Sequence, residues 1–251
     1  DSQKRKYLPG LCDGSIIGAN GTSENAAGSD VFSMRTRATK NGRDYVLNGS
    51  KTWVTNGPIG DLFVVYASLG QTKGVHGISA FLVERGTPGF TISKPLEKMG
   101  LRTSPMSELF FDNCLIPGEN LLGREGAGNV LFTYSMTSER SSILANAVGS
   151  MEYLVARCIE HAKQRRQFGQ PIGKFQAVAN MIVDMKLNLE TSRALLYRSA
   201  WLRGQRKRAI LEAALTKLHI SDCWVSACQK AIQVFGASGY MVEYGLEREM
   251  R

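Results

Sequence analysis

Along the first half of the chain, short apolar runs alternate with polar residues and are cut every few positions by turn signals. Tyr45-Val46-Leu47 leads into Asn48-Gly49, a pair that favours a tight hairpin, and Thr52-Trp53-Val54-Thr55 follows before Asn56-Gly57-Pro58. Further strands are predicted at Leu62–Ser68, at Ile78–Glu84, and over residues 90–93 and 108–112. Strands this close, joined by Gly, Asn and Pro, predict a small antiparallel β-barrel or sandwich. The pattern changes near residues 117–128. Beyond it Ile143, Ala147, Met151, Leu154, Cys158 and Ala162 recur every three or four positions, as one face of a helix must. That helix should end before Phe168-Gly169-Gln170-Pro171. A second is predicted from about residue 175 to 202, with Val178, Ile182, Met185, Leu189 and Leu196 inward, and a third from about 207 to 235, stopped by Gly236. Three long helices with short links pack as antiparallel neighbours. The expected fold class is α+β, an antiparallel β-barrel or sandwich domain followed by a helical domain of the four-helix-bundle type.

Composition narrows the class without choosing a function. With 43% hydrophobic and 21% charged residues the chain reads as folded and globular, not disordered. No apolar run approaches the roughly 20 residues of a membrane helix, and the polar opening, Asp1 to Lys6, lacks the look of a signal peptide. Five cysteines without metal-ligand spacing suggest reduced, mostly buried thiols and a cytoplasmic setting. His76, His161 and His219 are far apart in sequence and read as surface or structural residues, so no metal site is expected. The net charge of +9 suits solubility, a nucleotide cofactor's phosphates, an acidic carrier protein or nucleic acid. The run Arg203-Gly204-Gln205-Arg206-Lys207-Arg208 reads most simply as a solvated turn between helices.

Four features could carry chemistry. Thr22 to Asp30 is a loop of small and hydroxyl residues that a ligand could approach closely, or an ordinary surface loop. In Lys51-Thr52-Trp53-Val54-Thr55-Asn56-Gly57, Trp53 and Thr55 are two apart on a strand and face the same way. An indole plane and a hydroxyl could there share one flat ligand; a core Trp beside a turn is the alternative. Arg165-Arg166-Gln167-Phe168-Gly169 at a helix end offers guanidinium donors to an anion, although basic residues suit helix ends in any case. Ser138-Glu139-Arg140, near the start of the first long helix, holds a carboxylate that matters only if the helix faces a cavity.

Taken in order, these segments resemble the acyl-CoA dehydrogenase superfamily along essentially the whole chain. The carrying stretches are Ser23-Glu24 through Gly28-Ser29-Asp30-Val31, Asn48-Gly49-Ser50-Lys51-Thr52-Trp53-Val54-Thr55-Asn56-Gly57, and Lys98-Met99-Gly100-Leu101-Arg102. They continue with Arg166-Gln167-Phe168-Gly169-Gln170-Pro171-Ile172-Gly173 plus Gln176, and Gln233-Val234-Phe235-Gly236-Ala237-Ser238-Gly239-Tyr240. The resemblance implies an N-terminal helical domain, a middle β-domain and a C-terminal four-helix bundle, assembled as a homotetramer. On that basis residues 1–12 are the end of the helical domain, 13–125 the β-domain and 126–251 an incomplete bundle. The sequence then reads as a fragment lacking the first domain and the last helix.

The resemblance also implies FAD held between β-domain and bundle. Thr22, Ser23, Ser29, Trp53 and Thr55 would line the isoalloxazine side. Arg165, Phe168, Gln176, Gln233 and Gly236 would serve the pyrophosphate and adenosine side, the last two from a neighbouring subunit. The implied reaction is α,β-dehydrogenation of an acyl thioester, in which a carboxylate removes the α-proton and the β-hydrogen leaves as hydride to flavin N5. Hydrogen bonds to the thioester carbonyl stabilise the developing enolate, and a water-poor pocket makes a carboxylate a better base. Many family members place the base before the last helix. A minority, isovaleryl-type enzymes included, place it on the first bundle helix just before an Arg, and Glu139 followed by Arg140 matches that arrangement.

Two departures bear on the substrate. Thr137 stands where many acyl-CoA enzymes carry an Asp two residues before the base, and Asn20 where many have an aromatic residue; the resemblance places Asn20 and Arg140 on the substrate side. With Ile159-Glu160-His161-Ala162 and Lys94-Pro95-Leu96-Glu97-Lys98, the chain looks closer to prolyl-carrier-protein dehydrogenases of secondary metabolism. The expected substrate is therefore a carrier-tethered aminoacyl thioester of prolyl type, its acidic carrier suited to a basic enzyme. A free short or branched acyl-CoA is the alternative, and a DNA-binding, weakly active paralogue or a flavin-free structural one stands behind both. Electrons would pass to an electron-transfer flavoprotein or to oxygen.

Overall fold

A computed structural model of the protein describes residues 1–70, 74–207 and 209–251. The chain forms two compact units, Asp1–Thr133 and Tyr134–Arg251.

In the first unit a helix α1 (Ser2–Asp13) precedes strands β1 (Gly18–Gly21), β2 (Arg37–Asn41), β3 (Asp44–Thr55), β4 (Leu62–Ser68), β5 (Ile78–Glu84), β6 (Phe90–Ile92), β7 (Met106–Ile116) and β8 (Leu121–Leu122). These make one sheet in the order β6-β7-β3-β2-β4-β5-β8, with β1 added beside β4. Most pairings are antiparallel, as expected, but β1 runs parallel to β4 over Gly18–Gly21 and β2 touches β4 in parallel at Arg37 and Ser68. Strands β4 and β5 are buried on both faces, which explains their unbroken apolar runs. Phe63, Val65 and Ala67 with Phe81 and Val83 enter one core, whereas Tyr66, Ile78 and Ala80 enter another. Burying each of the Phe, Val and Ile side chains contributes about 1.5–3 kcal/mol. Tyr7 from α1 packs with Leu62 and Leu82, and its hydroxyl donates to Glu84 at 2.6 Å.

The expected hairpin at Asn48-Gly49 is not there. These residues lie inside β3, where the register against β7 slips between Leu47 and Gly49. The reversal instead occurs at Gly42-Arg43, between paired Asn41 and Asp44. Gly49 has φ 140°, and a Cβ there would come within 2.7 Å of the Thr36 backbone, so the glycine serves a β-bulge under close backbone contact.

The second unit contains the end of α2 (Gly128–Ser142), then α3 (Ala145–Gln164), the short strands β9 (Arg166–Gln167) and β10 (Gln170–Pro171), and helices α4 (Gln176–Gly204), α5 (Ile210–Phe235) and α6 (Leu246–Met250). The single first helix of the sequence reading is two helices. The chain breaks at Ile143-Leu144, leaving Ile143 64% exposed instead of inward. Adjacent Ser141 and Ser142 favour that break, because serine hydroxyls compete with the helical backbone; Ser141 Oγ donates to Ser138 O at 3.2 Å. Beyond it Ala147, Met151, Leu154, Cys158 and Ala162 are buried at helical spacing. Met185, Leu189 and Leu196 from α4 and Ile220, Ala227 and Ala231 from α5 share their core. A second set, Val183, Leu187, Tyr197 and Trp201 on α4 with Leu211, Leu215, Leu218 and Val225 on α5, remains exposed. The overall class is α+β. Cys114, Cys158, Cys223 and Cys228 are buried free thiols and Cys12 is exposed. No helix among the described residues is long and apolar enough to cross a membrane.

Candidate functional site

In the β-unit a buried ion pair joins two of the stretches singled out from sequence. Lys51, fully buried in β3, donates from Nζ to Glu24 Oε1 at 2.8 Å and to the Thr22 carbonyl at 3.1 Å. Glu24 Oε2 accepts from the Arg35 amide at 2.6 Å, and Oε1 from the Thr36 amide at 3.0 Å. Burial alone would raise the Glu24 carboxyl; the Lys51 ammonium, Thr36 and Arg35 outweigh it and hold it below the usual carboxylate range. Burial pushes the Lys51 ammonium down, and Glu24 offsets only part of that.

This pair fastens the Thr22–Asp30 loop to β3 where the cofactor candidates lie. The Thr52 amide donates to the Ser23 carbonyl at 2.9 Å, and Thr22 Oγ1 donates to Asn20 Oδ1 at 3.1 Å. Thr22 and Ser23 are half-buried, while Asn20, Ser29 and Thr55 are exposed, Ser29 near the far end of the loop. Trp53 sits in a second bulge of β3, between Lys51 and Val54, with φ 58° and its side chain 60% exposed. A bulky residue at positive φ is a strained backbone that surrounding structure must hold. Trp53 is therefore not a core residue: its indole is largely exposed, as is Thr55.

In the helical unit, Arg165 ends α3, its amide donating to the His161 carbonyl at 2.9 Å. Phe168 and Gly169, both at positive φ (49° and 76°), make the two-residue turn between β9 and β10, as a primed hairpin turn requires. The turn thrusts the Phe168 ring out, 92% exposed, with only an edge contact to Phe175 at 5.9 Å. Gln176 opens α4 and is exposed. At the far end of α5 exposed Gln233 precedes Gly236, whose φ of 60° and ψ of −136° suit glycine. His161, one turn before Arg165, stacks on Phe235 at 4.0 Å, and Arg157 lies over the same ring at 5.3 Å. The α3 and α5 candidates thus belong to neighbouring helix ends. Burial, then Arg165 and Arg157, push the His161 imidazole down.

Glu139 lies one turn from the C-terminal end of α2, not near the start of a long helix as the periodicity suggested. Its carboxylate is exposed and accepts from Ser135 Oγ at 2.9 Å; Arg140 is exposed beside it. The basic run is also not simply a solvated turn. Arg203 belongs to the last turn of α4 and is hydrogen-bonded to Ser138, Ser141 and Ser142. Arg206 and Lys207 are exposed, and Arg208 lies outside the described residues. In the sequence Glu24 and Lys51 stand only as letters of longer motifs, with no mark of their pairing. The available signal was a lysine inside a strand, which burial allows only with a partner.

The acyl-CoA dehydrogenase middle-domain model matches residues 19–114, and the C-terminal-domain model matches residues 126–251. A short-chain-specific acyl-CoA dehydrogenase of Megasphaera elsdenii is 41% identical over 252 residues, 100% of this chain and 66% of that protein. The crystal structure of the prolyl acyl carrier protein oxidase AnaB is 47% identical with a TM-score of 0.98, covering 100% of this chain and 66% of that one. The structure of PigA with FAD and proline is 41% identical, also with a TM-score of 0.98, covering 100% of this chain and 65% of that one. The chain thus spans just under two thirds of the length of these relatives.

Proposed function

Because this chain belongs to the acyl-CoA dehydrogenase family, we propose that it is the cofactor-binding and proton-abstracting part of an FAD-dependent enzyme that oxidises an acyl thioester across its α,β carbon pair. The observation that carries this reading is Trp53, an indole kept exposed on strained backbone beside half-buried Thr22 and Ser23. A flat aromatic face with adjacent hydroxyl and backbone donors fits a flavin ring, to which Ser29 and Thr55 would add. Arg165 is exposed and in no ion pair among the described residues, which leaves its guanidinium for phosphate. Phe168, Gln176, Gln233 and Gly236 complete the proposed pyrophosphate and adenosine set, the last two serving a neighbouring subunit in a homotetramer.

When bound, the flavin supplies the acceptor for the substrate's β-hydride. Glu139 takes the α-proton, and the electron pair of that C–H bond becomes the new α,β π bond as the β-hydrogen leaves with its own pair. Ser135 Oγ holds the Glu139 carboxylate one helical turn away, restricting its rotamers before substrate arrives. Arg140 and Asn20 would contact the acyl thioester.

The thioester is best read as an aminoacyl group of prolyl type on a carrier protein. Thr137 and Asn20 at the two departing positions, 47% identity to AnaB and the charge of +9 support it. The 41% identity to the Megasphaera enzyme favours a free short or branched acyl-CoA as the second reading. Full-length protein would be mixed anaerobically with L-prolyl carrier protein and, separately, with isovaleryl-CoA while flavin absorbance is followed. Bleaching by the carrier-bound prolyl group is the expected outcome; bleaching by the CoA ester alone would replace the first reading with the second. A colourless purified protein would sink both. Readmitting oxygen or electron-transfer flavoprotein to the bleached enzyme then identifies the electron acceptor.

A further inference from the structure

Among the described cationic residues of the basic run, Arg203 is the one that is half-buried. It leaves the last turn of α4 half-buried and donates to Ser138 Oγ at 2.6 Å, Ser142 Oγ at 2.6 Å, Ser141 Oγ at 3.3 Å and the Ser138 carbonyl at 3.4 Å. It forms no ion pair with a carboxylate among the described residues. All its acceptors lie near the C-terminal end of α2, on either side of Glu139. We propose that Arg203 is a positioning residue, which fixes the last turn of α2 and so holds the Glu139 carboxylate in place for proton abstraction. This rests on the reading of Glu139 as the base.

That turn is intrinsically weak. The last four carbonyls of a helix lack helical partners, and α2 ends at Ser142, three residues past Glu139. Three serines in one turn add hydroxyls that compete for the backbone, as Ser141 does at the Ser138 carbonyl. Left alone, such a turn frays, and a side chain on it samples many positions. A guanidinium supplies several donors in one rigid plane and places positive charge where the helix dipole is negative. It therefore converts a fraying turn into a fixed one. Lysine, a point charge on a flexible stem, could satisfy only some of these acceptors. Misplacing a reacting group by about 1 Å costs on the order of 100-fold in rate, so a side chain outside the reaction can still govern it.

The test uses the full-length flavoprotein as wild type, Arg203→Met, Arg203→Lys, Ser138→Ala/Ser142→Ala and Glu139→Gln. The probe is whichever of L-prolyl carrier protein and isovaleryl-CoA bleaches the wild-type flavin. In Arg203→Met the limiting rate of anaerobic bleaching should fall about 10- to 100-fold, with half-saturation unchanged and a full complement of flavin. The isotope effect from α-deuterated substrate should rise, because proton abstraction becomes the slow step. Arg203→Lys should recover part of the rate, and the double serine variant should show a smaller loss of the same kind. Wild-type bleaching with an unchanged isotope effect in Arg203→Met overturns the proposal. So does a rate loss matched by loss of bound flavin, which would mark a purely structural role. Should Arg203→Met fail to fold, an unchanged rate in the serine variant overturns it instead. If Glu139→Gln still bleaches, the base reading falls and this inference with it; if Glu139→Gln is silent while Arg203→Met behaves as wild type, only this inference falls.

Discussion

Lys51 Nζ lies 2.8 Å from Glu24 Oε1, the lysine side chain fully buried and the glutamate side chain 6% exposed. Removing one member of a buried pair leaves an uncompensated charge and costs about 3–5 kcal/mol. Lys51→Met and Glu24→Gln should each destabilise by that order. The double variant should cost clearly less than the sum, since it leaves no lone charge and the introduced carboxamide still offers an acceptor to the Arg35 or Thr36 amide. A urea double-mutant cycle measures this, and additive costs would show that the two side chains do not act as a pair.

The same pair sets an acid limit. Glu24 is held below its unfolded value, about 4.3 for an ordinary Glu, by Lys51 and two amides that outweigh burial. Its stabilisation is complete above the unfolded value and lost as pH falls through the lower folded one. Unfolding free energy of the wild type should therefore drop as pH falls below about 4.3, and Glu24→Gln should flatten part of that slope. An identical slope in both proteins would place the acid sensitivity elsewhere.

Trp53 should separate stability from ligand binding. At φ 58° its backbone is strained, a cost of order 1–3 kcal/mol that glycine would not bear. Its side chain is 60% exposed and contributes little burial in return. Trp53→Gly is expected to melt no lower than wild type, and to lose bound flavin on dilution. A variant that keeps its flavin and loses stability would make Trp53 a packing residue.

Strands β4 and β5 were legible to the residue, because an unbroken apolar run bracketed by turn signals has few other solutions. Asn48-Gly49 was not. The dipeptide suits a hairpin turn and a bulge equally, and only the approach of Thr36, from outside the local sequence, decides for the bulge. The break at Ile143-Leu144 escaped for a related reason: the apolar period runs through it uninterrupted. Of the candidate site, the residue types and their order could be read from the motifs. The supporting contacts could not, since Arg203 meets Ser138 and Ser142 across 65 and 61 residues of chain.

Two glycines, one at the expected reversal and one at the observed reversal, give a direct check. Gly42 has φ 62° and open space around it, whereas a Cβ on Gly49 would meet Thr36 Cα at 2.7 Å. Asparagine tolerates the left-handed region, so Gly42→Asn should cost less than about 1 kcal/mol. Gly49→Ala must move the Thr36 backbone as well as accept φ 140°, and should cost more than about 2 kcal/mol. Thermal or urea unfolding of the two variants measures the difference. Equal, small losses would put the turn back at Asn48-Gly49.

Glu139 offers the reverse case, a residue whose removal should leave the fold alone. Its carboxylate is exposed and accepts from Ser135 Oγ at 2.9 Å. Surface substitutions of this kind usually fall within about 0.5 kcal/mol, and a glutamine side chain can still accept from Ser135. Glu139→Gln should therefore match the wild type in unfolding midpoint and in flavin content. An amide cannot take the α-proton, so bleaching by the true thioester should fall by at least about 100-fold, the contribution expected of a general base. Turnover within a few-fold of wild type would move the base to another residue. Equal losses of stability and turnover would instead mark Glu139 as part of the scaffold of α2.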